Sequence, residues 1–328
     1  MKMEVGKLPT ELLEQKILSK IRPSRKEILV GAGVGEDCSV IDFGDEVCVL
    51  STDPITGASK GIGKLAIHIS CNDVASNGVE PIAILLTILA PESARLEEIA
   101  QVLEEAKETA AQLNVEIIGG HTEVSAAVNR MIVSTTCIGK GKKQSMVTSH
   151  GAQPGDDVLM TKWVGLEGSA ILAQDREEEL KEVLSTDLLE EAKGYMSYIS
   201  VLKEGMLAGR IGATAMHDVT EGGLLGALWE IAAASKIGVE IEETLIPLTE
   251  ATRKICEYFK INPLGLISSG VMLITTHNTE KLLSAFRERG MQVTKIGRVV
   301  EGQSVLIEDG ERIPLTPPEA DELFKVID

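Results

Sequence analysis

Aromatic side chains are scarce in this chain: four Phe, three Tyr and two Trp among 328 residues. So few rings leave little for bases to stack on, and a formal net charge of -18 repels phosphate backbones, so composition argues against nucleic acid as a partner. Long apolar runs are missing as well. The longest uncharged one, Ile82 to Ala90 (IAILLTILA), is too short to cross a bilayer and reads as a buried strand. The opening MKMEVGKLPTELLEQ has charges where a secretory leader needs an apolar stretch, so the expectation is a cytoplasmic protein without membrane association. Cys38, Cys48, Cys71, Cys137 and Cys256 are odd in number, widely spread and without a CxxC pair. That pattern indicates neither a disulfide framework nor a zinc site, and leaves reduced thiols packed as small hydrophobes.

What is present is a folded globular composition, 44% hydrophobic with 25% charged, at a length that exceeds the usual single core. Two domains are expected. After an N-terminal helix and a glycine-rich loop, CSVID and EVCVLST alternate like strands, a helix follows from Lys64 to Asn77, and a strand lies near Ile82. Leu96, Ile99, Leu103, Ala106, Ala110 and Leu113 mark a long helix ending near Asn114, and VEIIGG and RMIVSTTCIGKG read as two further strands. GAQPGDD is rich in turn residues and marks a boundary, giving residues 1–145 and 146–328 as the two units. Beyond it come a strand at DVLMTKW, one helix from Gly194 to Ala208, another from Gly222 to Ala234, a strand at VMLITTH, a helix near Leu282 and a strand at VTKIGRV. The fold class read from this is α+β, with an α/β unit in each half.

Familiar nucleotide motifs fail. GASKGIGKL has Ala58 where a P-loop needs glycine and Leu65 where magnesium needs Ser or Thr; GAGVGE has Glu36 at the third glycine of the dinucleotide fingerprint. Acidic residues beside glycines and at element ends remain: Asp37 in GVGEDCSVI, Asp53 closing a strand in VLSTDP, Asp73 in SCNDVASNG and Asp218 in AMHDVTEGGL. Carboxylates are natural magnesium ligands. Asp37 also suits a turn, Asp53 a cap or turn before Pro54, and Asp218 a helix N-cap. Asp73 is different. Counting back in threes and fours reaches Ile69 and Ala66, so this acid shares the face that helical spacing buries, where an unpaired carboxylate costs several kcal/mol or takes up a proton. The paired glycines Gly119–Gly120 and Gly222–Gly223 would let backbone N–H groups approach phosphate, or serve as turns.

GEDCSVI, STD, SCNDVASNGVEP, IIGGHTEV, GLEGSAILA, HDVTEGGL and SSGVMLI stand in the order and approximate spacing of the aminoimidazole-ribonucleotide synthetase-like (PurM-like) superfamily, which the chain resembles over nearly its whole length. The resemblance implies a homodimer whose N-terminal domains join through their sheets, as a dimeric sheet or barrel, and ATP bound under glycine-rich segments. It implies that Asp37, Asp53, Asp73 and Asp218 gather Mg2+ around the ATP phosphates, with Asp73 and Asp218 also in catalytic roles. Lys64, Asn72, Gly119, Gly120, Thr122, Glu221, Gly222 and Gly223 fall at its nucleotide-contacting positions.

Two departures stand out. The superfamily usually carries an acid after the paired glycines, as GGDT or GGET, whereas this chain has His121 in GGHT, so the expectation is either that one metal position is lost or that His121 takes a catalytic role on phosphate or substrate, with Glu123 as a substitute acid. The motifs look closest to the hydrogenase maturation (HypE) branch, yet the terminal cysteine tail of that branch is not seen in ADELFKVID. The expectation is therefore an ATP- and Mg-dependent enzyme that activates an amide or carboxamide oxygen by phosphorylation, on a small-molecule or protein-borne acceptor. A small-molecule kinase of the thiamine-monophosphate kinase type, or a nucleotide-binding regulatory protein without turnover, is the alternative. A selenophosphate synthetase fits less well, because its reactive thiol needs positive surroundings and Cys38 follows acids.

Overall fold

The computed structural model describes residues 8, 10–56, 61–316 and 318–327. The GASK part of the rejected P-loop segment, the first residues of the chain and Asp328 lie outside the described residues. Two sheets divide the chain. The first runs β1-β2-β3-β6-β4-β5, built from β1 (Ile28–Val30), β2 (Ser39–Asp42), β3 (Glu46–Ile55), β4 (Glu80–Ala90), β5 (Glu116–Val124) and β6 (Ile132–Lys142). Past the short helix α1 (Thr10–Lys16), two long helices, α2 (Ile62–Ser76) and α3 (Leu96–Leu113), cover one face of this sheet. Ala66, Ile67, Cys71 and Val74 of α2 and Val102, Ala106 and Ala110 of α3 pack onto the inward residues of its strands. Gly63 allows the two helices to cross closely: a Cβ there would lie 2.1 Å from the main-chain oxygen of Val102. The other face of the sheet is open, and Ile82, Leu85 and Ile118 are 41%, 40% and 59% exposed on it.

The second sheet runs β13-β12-β9-β11-β7-β10-β8, from β7 (Asp157–Thr161), β8 (Ala215–Val219), β9 (Gly238–Glu242), β10 (Val271–Thr276), β11 (Val293–Val300), β12 (Val305–Glu308) and β13 (Glu311–Pro314). Helices cover both of its faces. On one side lie α4 (Leu166–Asp175), the short α5 (Glu177–Leu180), α6 (Thr186–Gly194), α8 (Gly223–Ser235) and α9 (Glu250–Phe259); on the other lie α7 (Leu202–Ile211) and α10 (Thr279–Arg287). Strands covered on both faces read as continuous apolar runs, which explains VMLITT in β10. β8 ends the sheet, yet all five of its residues are buried, because α2 of the first half packs beside it. No described helix is long and apolar enough to cross a membrane.

The single helix expected from Gly194 to Ala208 is two elements. α6 ends at Gly194, a 3-10 turn spans Tyr195–Tyr198, and α7 starts only at Leu202. The break has a tertiary cause: the side chain of Asn72 takes the N–H of Val201 and donates to the oxygen of Ile199, so those groups cannot serve a helix. Asp53 does not close its strand either. β3 continues through Pro54 to Ile55, which is possible because β2 stops opposite Leu50 and leaves that side of β3 as a free edge where a proline lacks nothing.

Candidate functional site

The seam between the halves brings the aspartates together. Asp73 lies on α2 and faces Ser51 of β3, Asp53 lies on β3, Asp37 on the loop before β2, and Asp218 on β8 of the second half. Burial pushes the Asp73 carboxyl well above the usual range, and the charges of Asp218, Asp53 and Asp37 push it the same way. Burial likewise raises Asp218, to about 7, with Asp37 and Asp53 adding to it. Ser51, two residues before Asp53 and on the same face of β3, donates its hydroxyl to Asp73 and lies 3.4 Å from an Asp53 oxygen. Both carboxylate oxygens of Asp218 are buried without a hydrogen-bond partner among the described residues.

His217, next to Asp218 in β8, was not foreseen. Its Nδ1 lies 2.7 Å from the main-chain oxygen of Asp218 and 3.5 Å from an Asp37 oxygen. Its Nε2 is 3.2 Å from a Glu230 oxygen on α8, close enough for an ion pair though not aligned as a hydrogen bond. Burial alone would lower its pKa, but Asp37, Glu230 and Asp218 overcome that and raise it to about 10. The acids around His217 therefore favour its charged form. Asp37, His217 and Asp218 each offer an atom within 4.8 Å of the others. Clustered carboxylates with orphaned buried oxygens are a donor set that fits a hard divalent cation. Asp37 and Asp218 offer carboxylate oxygens within that reach, and the charges of Asp53 and Asp73 act on the same cluster.

The remaining sequence candidates go elsewhere. Asn72 points along the seam with both ends of its amide bonded to main chain, at 2.8 Å to Ile199 and 2.9 Å from Val201, so it is not free for nucleotide. Lys64 is half-buried one turn before His68, whose pKa falls to about 4 through burial first and the Lys64 charge second. Gly119, Gly120, His121 and Thr122 lie on β5, at the sheet edge and exposed, where His121 Nε2 meets Glu123 at 3.2 Å. Gly120 pairs with Leu86, Leu86 with Thr135, and Thr135 with Asp53, so three strand spacings, about 14 Å, separate GGHT from the acidic cluster within one chain. Gly120 is required by β4: at φ 148° a Cβ would sit 1.8 Å from the oxygen of Leu86.

Gly222 and Gly223 do not present free N–H groups. That of Gly222 bonds to Asp321 at 2.6 Å, and that of Gly223 to Thr220 at 3.0 Å. Their left-handed φ of 87° and 58° makes the tight entry to α8, so the turn reading of these glycines prevails. Glu221 is half-buried in the same turn, its charge felt by Asp321. The thiols are free as expected. Cys38, in the loop before β2 rather than in a strand, is buried, and burial followed by the nearby Asp73, Asp37 and Asp218 charges pushes its pKa well up, the opposite of a reactive thiol.

Comparison with known proteins follows the same division. Residues 35–140 match the N-terminal domain of AIR synthase related protein, and residues 153–309 its C-terminal domain. A putative hydrogenase expression/formation protein of Methanocaldococcus jannaschii is 31% identical over 320 residues, covering 94% of this chain and 93% of that one. A carbamoyl dehydratase HypE of Cupriavidus necator is 28% identical over 264 residues, covering 77% of this chain and 73% of the other. Among solved structures, the hydrogenase maturation protein HypE in complex with ATP superposes with a TM-score of 0.69 at 22% identity, covering 98% and 97% of the two chains.

Proposed function

The chain belongs to the AIR synthase related protein family and is an enzyme of it, and from that premise we propose that it binds ATP with a divalent cation and activates an amide- or carboxamide-type oxygen by phosphorylation. The carrying observation is that both oxygens of Asp218 lie buried and unpartnered among the charges of Asp37, Asp53 and Asp73. A divalent cation held there supplies charge neutralisation for phosphate oxygens, the main demand of phosphoryl transfer. The chain's own contribution is to hold Asp73 in place through Ser51 and to set the His217 imidazole beside Asp37. The name carbamoyl dehydratase of one relative and the ATP in one superposing structure support the substrate class.

One observation keeps the kinase alternative in play. Cys38, Cys71, Cys137 and Cys256 are buried and Cys48 is half-buried, so no described thiol is exposed to carry a group. Phosphorus NMR of reactions with ATP, Mg2+ and candidate carboxamides decides between the two: free phosphate with dehydrated acceptor supports activation, a persistent phosphorylated acceptor supports a kinase, and no acceptor-dependent ATP loss rejects both.

A further inference from the structure

Asp73 and Asp218 come from different halves of the chain, so whatever docks the halves also sets the distance between these two acids. The dock is a chain of contacts between them. Asn72, the residue before Asp73, clamps Ile199 and Val201 with its side-chain amide and is fully buried. The residue between, Ser200, gives its main-chain oxygen to the ammonium of Lys162 at 3.0 Å. The same ammonium donates at 2.7 Å to the oxygen of Gly270, which leads into β10, and pairs at 2.7 Å with Glu204 on α7. β10 in turn aligns Met272 with Asp218 on β8. Lys162 adopts a left-handed φ of 54° and is 8% exposed, so a strained backbone and a buried charge are both maintained at this point.

The helices are held as closely. On α7, Gly205 and Gly209 face the end of α2, where a Cβ would lie 2.2 Å from the oxygen of Ala75 and 2.9 Å from the Cα of Gly78. Side chains do not cushion the seam there; main chain meets main chain. We propose that Asn72 and Lys162 are positioning residues that, through the loop 199–201, lock Asp73 against Asp218, so that cation affinity is set by the interdomain seam rather than by either half. This rests on the cation site proposed above.

The test is titration of Mn2+ alone, read by loss of the free-ion paramagnetic resonance signal, alongside thermal unfolding. Asn72→Ala removes the loop clamp, and Lys162→Met with Glu204→Gln removes the ammonium while leaving no buried charge unpaired. Ser169→Ala is the control, since it deletes a buried 2.9 Å bond to Thr252 with both partners inside the second half. The expected result is Mn2+ affinity about tenfold or more weaker in both seam variants, and near parental in the control at similar loss of thermal stability. Combining the seam variants should add little to either alone, because both act on one loop. Should Asn72→Ala not fold, the Lys162/Glu204 variant decides by itself. Parental Mn2+ affinity in the seam variants overturns the inference. A parent protein that binds no Mn2+ overturns the cation site along with it.

Discussion

The carboxylate of Asp321 accepts the main-chain N–H of Gly222 at 2.6 Å, tying the end of the chain to the turn that follows Asp218. The other Asp321 oxygen accepts from Ile267 and Leu323. One buried side chain therefore satisfies three main-chain donors and fixes two loops at the same end of the second sheet. Asp321→Ala leaves those donors without a partner and should cost about 1–3 kcal/mol in urea unfolding at pH 7.5, with Asp321→Asn intermediate because one acceptor oxygen remains. An alanine variant as stable as the parent would mean that water replaces the carboxylate.

Nearby, burial raises the Glu167 carboxyl to about 7, with the Asp321 charge acting in the same direction. Between the ordinary carboxylate value and about 7 the folded state holds this proton more tightly than the unfolded state. Stability therefore falls as pH rises through that window, and the loss is complete above it. Glu167→Gln keeps the shape of the protonated acid and cannot ionise. It should be more stable than the parent at pH 8.5 by about 1–3 kcal/mol, and the difference should close at pH 4.5, as read from urea midpoints. Equal gains at both pH values would show that ionisation of Glu167 is not the cause.

Where the local pattern contained the reason for a residue, the sequence was enough. Helical spacing alone put Asp73 on a buried face, whereas its nearness to Asp218, Asp53 and Asp37 follows from no local pattern and was expected only from the family resemblance. Where the reason lies far along the chain, it was hidden. Nothing local in GYMSYISVLKEG shows that Asn72, 127 residues from Ile199, interrupts the helix. His217 stands beside Asp218 in the HD pair, but its partners Asp37 and Glu230 come from two other elements. The glycines were ambiguous for another reason: one letter serves a left-handed turn at Gly222, a close strand approach at Gly120 and an open phosphate cradle alike.

The open face of the first sheet should be covered by a second copy of the chain. Apolar side chains such as Ile82, Leu85 and Ile118 stand on one uncovered sheet, and β5 leaves an unpaired edge beside them. Light scattering at micromolar concentration should give the mass of a dimer, and Leu85→Asp or Ile118→Lys should shift it to that of a monomer while the far-ultraviolet circular dichroism stays unchanged. A parent that scatters as a monomer at these concentrations would refute the pairing.

Asp73→Asn separates a metal site from a structural acid. The substitution keeps the shape, and its amide oxygen can still accept from Ser51, but it cannot ionise, at a buried place where Asp218, Asp53 and Asp37 already disfavour a further negative charge. Without ligand, the variant should therefore be as stable as the parent or slightly more so, because no buried carboxyl remains whose ionisation the fold penalises. With ATP and Mg2+ the parent should gain thermal stability by mass action, since a ligand that binds only the folded state shifts unfolding upward. The variant should lose most of that gain, and any ATP turnover should fall by roughly a hundredfold, the scale of removing one strong electrostatic contact to developing charge. Asp45→Asn, exposed in the turn before β3, should change neither reading. If Asp73→Asn instead unfolded the protein while the folded fraction still responded to Mg2+, Asp73 would belong to the core, and the cation would rest on Asp37, Asp53 and Asp218 alone.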